Sequence, residues 1–428
     1  MATATLGVMV VLLCMGFPMM IPLIAAAVLG FYLSFGGFGQ IETMVSQMLA
    51  GIRPASLIAV PMFIFAADIM TRGHSAGRLI DLVMAWVRHV RGGLAISTVV
   101  GCTMFGAVSG STQATVVAVG TPLRPRLLKA GYKDSFVMSL IVNSSDIAML
   151  IPPSIAMIIY GAISNTSIAE LFIAGIGPGL LIMVMFSVYC YFYAIRNNVA
   201  AEPAAPMSER LTALHRAIWP LGFPAIIIGG IYGGYFSPTE AAAACVLYAL
   251  VLEMGVFRTI NVNGLIATAR STGLITAVVF ILVGAGAGFS WIISFAQVPQ
   301  TVLAAIGIDQ MGPIGVLVVI SIAFFIGCMF VDPIVVILVM VPIFAPVVNA
   351  VGLDPVHVGT IIVLQVAIGS ATPPFGCDIF TAIAVFKRPY FEVIRASPPF
   401  FLMLFLVSVL LIFFPQIALF LRDLAFGK

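Results

Sequence analysis

Residues 143–154 read NSSDIAMLIPPS, and residues 369–376 read GSATPPFG. Each sets a Pro-Pro pair midway through a long apolar stretch, about 133–165 and 355–386. Proline removes a backbone donor and turns the preceding residue away from helix. Both stretches therefore predict a membrane-length helix that breaks near its middle. Just ahead of each lies a second unusual region, 93–128 and 312–348. In each, two apolar helices too short to cross comfortably flank a polar or proline-bearing point, which predicts a re-entrant hairpin. Unwound backbone at such depth is tolerated only inside protein or along a cavity.

The rest of the chain agrees with a membrane reading. It is 62% hydrophobic and 8% charged, against about 25% charged in soluble proteins. Unbroken spans are expected near 6–35, 54–72, 168–196, 214–234, 237–256, 274–298 and 397–422, each long enough for a hydrocarbon core of about 30 Å. The first Lys or Arg is Arg53, so 6–35 lacks the basic n-region of a signal peptide and is read as a retained span. Segment 74–91 alternates apolar and charged faces like a helix lying in the membrane surface, with Leu79, Ile80, Val83 and Trp86 on its apolar side. The net charge of +3 leaves no nucleic-acid footprint. The six cysteines lie apart in apolar segments without a CxxC pair, and His74, His89, His215 and His357 are read as interface or loop residues without metal-ligand spacing.

With the N-terminus in the cytoplasm and nine net crossings, all of the 19 Lys and Arg residues except Arg53, Arg422 and Lys428 face inward, a strong positive-inside bias. The chain also repeats itself. A shift of 221 residues lays Gly106 on Gly327, Pro125 on Pro346, Gly131 on Gly352, and Pro152-Pro153 on Pro373-Pro374. An odd number of crossings separates the two copies, so the second is expected upside down. Inverted repeats with discontinuous helices are the architecture of secondary transporters. The expected fold is thus an all-α polytopic membrane protein of two inverted-topology repeats. The expected division is scaffold and interfacial arm at 1–92, first hairpin and broken helix at 93–167, scaffold and connecting helices at 168–311, second hairpin and broken helix at 312–386, and a C-terminal arm and scaffold helix at 387–428.

The chemistry is expected at the breaks. A dehydrated Na⁺ wants oxygen, which unwound carbonyls, side-chain oxygens and helix C-termini supply. The candidate ion ligands are Ser109, Asn143, Asp146, Gly327, Asp332, Gly369 and Thr372. The candidate substrate residues are Ser109, Ser111, Ser144, Ser145, Ser154 and Asp332. Serines in membrane helices often bond only their own backbone, and Asp332 could simply cap the helix that starts at Pro333. Asp378 could face the cavity or cap locally. Ser237-Pro238-Thr239-Glu240 reads as a capping box. A channel would show a continuous polar stripe or charged ring, and an intramembrane enzyme would pair its nucleophile with a base; neither pattern occurs, so no enzymatic activity is expected.

The stretches SGSTQATVVAVGTPLRP (109–125), NSSDIAMLIPPS, FSPTEAAAA (236–244), DPIVVILVMVPIFAPV (332–347) and GSATPPFG together resemble the large membrane subunit of tripartite ATP-independent periplasmic (TRAP) transporters over essentially the whole chain. The resemblance implies an elevator-type, Na⁺-driven importer in the bacterial inner membrane, with no cofactor beyond the coupling ion. It implies a small four-helix membrane subunit and a periplasmic substrate-binding protein as partners, and membrane lipid as surroundings. Substrates of the family are organic acids, and the sequence is placed nearest the sialic-acid branch, with C4-dicarboxylates as the other class. Ser109, Ser111, Asn143, Ser144, Asp332, Gly369 and Thr372 fall where the family's contacts cluster. The alternative is an H⁺-coupled or binding-protein-independent anion transporter of the same architecture.

Overall fold

The computed structural model describes residues 2–297, 300, 301, 307 and 311–427; Lys428, expected on the outer side, lies outside the described residues. Among them, every regular element is helical. By length and composition seven helices could cross a membrane, or nine if two bent pairs each form one span.

The first expected span is not one helix. α1 (Ala2–Cys14) and α2 (Met20–Phe35) are separated by a turn with Gly16 at φ +81°. The two pack against each other, and Thr5 lies beside Gly30 near the far end of α2, so they run antiparallel. Gly16 and Pro18 mark this break locally, but the uniform hydrophobicity on either side made the segment read as one span. The charge sorting is untouched, since no Lys or Arg precedes Arg53. The cytoplasmic placing of the N-terminus, however, loses the single crossing it rested on.

After α2 the chain bends by 113° into a short 3₁₀ turn and α3 (Ile41–Gly51), then passes through a second 3₁₀ turn into α4 (Ala59–Arg72). α5 (Ser75–Val87) is the expected amphipathic arm and buries Leu79, Ile80 and Val83. Trp86 differs from expectation: it is exposed, under the Arg210 guanidinium. The start of α5 is held from afar. Buried Glu253 accepts from the backbone N–H of His74 and Ser75 at 3.2 and 3.1 Å, from the Ser75 hydroxyl, and from the Thr259 hydroxyl at 2.6 Å. A Cβ on Gly73 would collide with that carboxylate.

The first repeat continues as α6 (Gly93–Ser109), α7 (Thr112–Lys129), α8 (Asp134–Ser145), α9 (Ile155–Ser164) and α10 (Ile168–Arg196). Next come α11 (Met207–Tyr232), α12 (Pro238–Leu250) and α13 (Val262–Phe295). α12 starts on the expected capping box, whereas α13 starts well before the expected 274. The second repeat supplies α14 (Pro313–Phe330), α15 (Pro333–Ala350), α16 (Pro355–Ala371) and α17 (Cys377–Phe386). α14 and α15 have 18 residues each and are apolar enough to cross, so shortness is not what marks the second hairpin. The chain ends with α18 (Tyr390–Ile394), α19 (Pro398–Phe413) and α20 (Gln416–Phe426). The last expected span is therefore two helices bent by 57°, because Pro415 follows the last turn of α19 and cannot continue it.

Adding 221 to the bounds of α7 gives 333–350, those of α15. α6 and α14, and α9 and α17, agree within a residue. Both Pro-Pro bonds are cis. The two copies also exchange partners: α7 packs on α17 of the other copy, and α15 packs on α9. α8 is buried from Phe136 to Ser145 and α16 from Val356 to Ala371, so the two breaks lie in the core. His357, expected at an interface or loop, is buried in α16 with Nε2 2.8 Å from the Leu411 carbonyl.

Candidate transport site

The two hairpin tips are built alike. α6 ends on Gly110 at φ +61°, and Ser111 caps α7 by accepting from the Ala114 N–H at 3.4 Å. A Cβ on Gly110 would sit 1.9 Å from the Pro153 carbonyl oxygen, so the first tip rests directly on the first Pro-Pro break. At the equivalent place Asp332 caps α15, accepting from the Ile334 N–H at 2.9 Å, with Pro333 at the first helical position. The capping role weighed for Asp332 is present, and one oxygen performs it.

Both tips face one cleft of about 700 Å³, within the range of small-molecule sites. Ser109, Ser111, Thr112 and Asp332 line it, together with Asp68 and Thr71 of α4 and an apolar face of α13. Among the described residues its charged lining side chains, Asp68 and Asp332, are both carboxylates, with no Lys, Arg or His. Asn143, Ser144, Ser145, Asp146, Ser154, Gly327, Gly369 and Thr372 are not among its lining residues, although Ile155 next to Ser154 is. The candidates thus divide into a cleft set and a core set.

The core set sits at the breaks. Asn143 gives its amide N–H to the Ser139 carbonyl at 2.7 Å, while its Oδ1, the Ser144 hydroxyl and both Asp146 oxygens are buried without a partner among the described residues. Asn143 and Asp146 are three apart at the end of α8 and its following 3₁₀ turn (Asp146–Met149), so they share a face. A buried carboxylate without a partner is strongly unfavourable, and a cation fits this oxygen-only group. Ser145 bonds the Val142 carbonyl at 2.6 Å, and Ser154 caps α9 through the Met157 N–H at 3.3 Å.

At the second break the hydroxyls are engaged. Thr372 donates to the Ile368 carbonyl at 2.6 Å. Ser370 and Thr112 each donate to Asp378 at 2.7 Å, one to each carboxylate oxygen. Asp378 thereby ties the second broken helix to the first hairpin, a role that neither of its two sequence readings anticipated. The Gly327 carbonyl accepts the Val331 N–H, and the Gly369 carbonyl the Thr372 N–H. Gly369 also packs where a Cβ would lie 2.6 Å from Cys328 Cβ, so its lack of a side chain has a packing reason. Among the described residues there is no His/Cys/Asp/Glu group able to hold a transition metal.

Sequence reading missed Asp68, the Asp378 bridge and the Glu253 cap. An ionisable group within an apolar span is a sufficient signal for Asp68 and Glu253.

Discontinuous helices meeting in the core beside an open cleft, on an all-helical polytopic frame, are the arrangement expected of a membrane permease. The chain belongs to the TRAP transporter family: its residues 6–417 match the family profile described as tripartite ATP-independent periplasmic transporter, DctM component. It is 77% identical over 428 residues, covering 100% of both chains, to the ectoine/5-hydroxyectoine TRAP transporter large permease of Ruegeria pomeroyi. It is 69% identical over 426 residues, again covering 100% of both, to the ectoine TRAP transporter large permease of Halomonas elongata. The sialic acid TRAP transporter large permease of Vibrio cholerae is 35% identical over 90% of this chain and 91% of its own. These identities correct the placing nearest the sialic-acid branch. In fold, the chain is similar to the YdaH transporter of Alcanivorax borkumensis, with a TM-score of 0.56, 15% identity and 87% of each chain covered.

Proposed function

We propose that this chain is the large permease of a Na⁺-coupled, binding-protein-dependent importer whose cargo is ectoine or its hydroxy derivative. The observation that carries the cargo reading is the charge of the cleft, whose charged lining side chains are two carboxylates. Ectoine is a cyclic amidine bearing a carboxylate, so it presents a delocalised cation as well as an anion. A dicarboxylate would bring only negative charge to the same walls. The names of the relatives at 77% and 69% identity point the same way.

Na⁺ coupling draws its support from the unpartnered oxygens of Asn143, Ser144 and Asp146, which a hard cation satisfies. In this reading the ion organises the first break, and the hairpin tip resting on it, carrying Ser109 and Ser111, closes on the cargo. Moving the two hairpins and broken helices as one body against α4 and α13 would carry the cleft from one side to the other, an elevator. A small membrane subunit and a periplasmic binding protein complete the machine, in the inner membrane. Proton coupling is the second reading, favoured by Asp378 at the junction of the two copies.

The test is uptake of labelled ectoine by proteoliposomes holding both membrane subunits, with the binding protein added. Uptake should need an inward Na⁺ gradient and should resist competition by sialic acid and C4-dicarboxylates. Uptake driven by a pH gradient without Na⁺ would replace the first coupling reading by the second. Uptake of a dicarboxylate but not ectoine would overturn the cargo.

A further inference from the structure

Besides the hairpin tips, the cleft is lined by two helix faces with equal spacing and unequal chemistry. α4 presents Ile64, Ala67, Asp68 and Thr71, and α13 presents Ile275, Val278, Val279 and Leu282. Each set follows the i, i+3, i+4, i+7 pattern of a single face. The α13 face is wholly apolar. The α4 face carries one carboxylate and one hydroxyl.

Asp68 is only partly explained by its neighbours. Its Oδ1 accepts from Arg72 Nε at 3.0 Å, an i,i+4 pair in which Arg72 is 43% exposed. Its Oδ2 is buried without a partner among the described residues. An exposed helical ion pair contributes little, whereas a carboxylate within a membrane helix is expensive. The pair therefore does not account for the placement. A carboxylate on a cleft wall with an unpaired oxygen is a group that a ligand N–H would satisfy.

We propose that Asp68 is a substrate-selecting residue: its carboxylate, whose Oδ2 is buried and unpaired in this state, turns to receive the cationic, N–H-bearing end of a zwitterionic cargo in the cleft that Ser109 and Asp332 also line. This deepens the cargo reading above and rests on it. A carboxylate on the α4 wall stabilises the amidinium and repels a dianion, so one residue supplies both the attraction and the rejection that specificity needs. Asp332, anchored through Oδ1 to its own helix, holds the hairpin side of the same cargo.

The experiment measures KM and maximal rate for ectoine in the complete three-component system, at matched membrane abundance. Asp68→Asn keeps the shape and removes the charge; KM should rise at least about tenfold, the loss expected for one charged hydrogen bond, with a smaller change in maximal rate. Asp68→Glu should retain more affinity than Asp68→Asn. Arg72→Gln should leave KM within about twofold, since Arg72 does not line the cleft. An unchanged KM in Asp68→Asn overturns the proposal, as does an Arg72→Gln variant that loses as much, because Asp68 would then act only by holding Arg72. If Asp68→Asn does not accumulate, Asp68→Ser takes its place: a raised KM beside a retained one in Asp68→Glu supports the proposal, and equal values overturn it. Wild-type protein that fails to take up ectoine would defeat the cargo reading and this inference with it; ectoine uptake that ignores Asp68 would defeat this inference alone.

Discussion

The two broken helices share a backbone and differ in how their polar atoms are spent. In the first copy Asp146 lies before the break, and with Asn143 and Ser144 it leaves buried oxygens unpaired. The 221-residue shift puts Leu364, Gln365 and Ala367 at these positions, and Gln365 is already bonded to Ser408. In the second copy the acid, Asp378, lies after the break and is held by Thr112 and Ser370. The tips diverge in the same way: Ser111 caps one and Asp332 the other, and Gly110 corresponds to Val331. Duplication preserved the geometry that breaks a helix, while the chemistry of the two halves separated. One half leaves buried oxygens unpaired among the described residues, and the other spends its acid on a bridge between the copies.

The comparison breaks most sharply if the halves are not inverted. Lys129 and Asn349, at the ends of equivalent helices and both exposed, should label from opposite faces when each is replaced by Cys and treated with an impermeant thiol reagent. Labelling from one face would end the inverted-repeat reading.

A nearly as large effect is expected at the tips. Gly110→Ala meets both a left-handed φ, costing about 1–2 kcal/mol, and the Pro153 carbonyl. Most folded protein should be lost by size-exclusion and thermal melting in detergent. Val331→Ala, at the equivalent place with φ −135°, should melt close to wild type. Equal losses would mean that the tips are not differently packed.

The acids come next. Asp146→Asn should raise the half-saturating Na⁺ concentration about tenfold or more, since it removes the formal charge from the unpaired group. Asp378→Asn should raise it about threefold at most, because its two hydroxyl partners can turn to the amide. A reversed order would move the ion to the second break. Asp332→Asn keeps the cap, which Asn makes as well as Asp, and should lower ectoine uptake several-fold, about fivefold or more if its charge meets the cargo; near-normal uptake would leave Asp332 as a cap alone.

The smallest effects belong to hydroxyls that already have partners. Thr372→Ala and Ser109→Ala should shift Na⁺ dependence by about two- to threefold, because Thr372 is spent on the Ile368 carbonyl and Ser109 lies 3.3 Å from Thr115 Oγ1. A tenfold shift in Thr372→Ala would show that its oxygen serves the ion as well.

The sequence by itself determined where the backbone breaks. Pro152-Pro153, Pro373-Pro374, Gly110 and the Ser111 and Asp332 caps act within a few residues of themselves, so their consequences are written locally. The register of the repeat, the amphipathic arm and the capping box at Ser237 were legible for the same reason. Gly16 and Pro18 permit a turn after α1, but tertiary structure alone decided that α1 folds back on α2, because composition does not set the direction of the second helix. It also decided which oxygens remain unpaired. Thr112 reaches Asp378 across 266 residues and Glu253 reaches Ser75 across 178, and no local rule specifies such partners. Hydrogen-bond satisfaction belongs to the whole packed core, so the division between spent and free oxygens, on which the ion and cargo readings turn, is settled only once the distant segments meet.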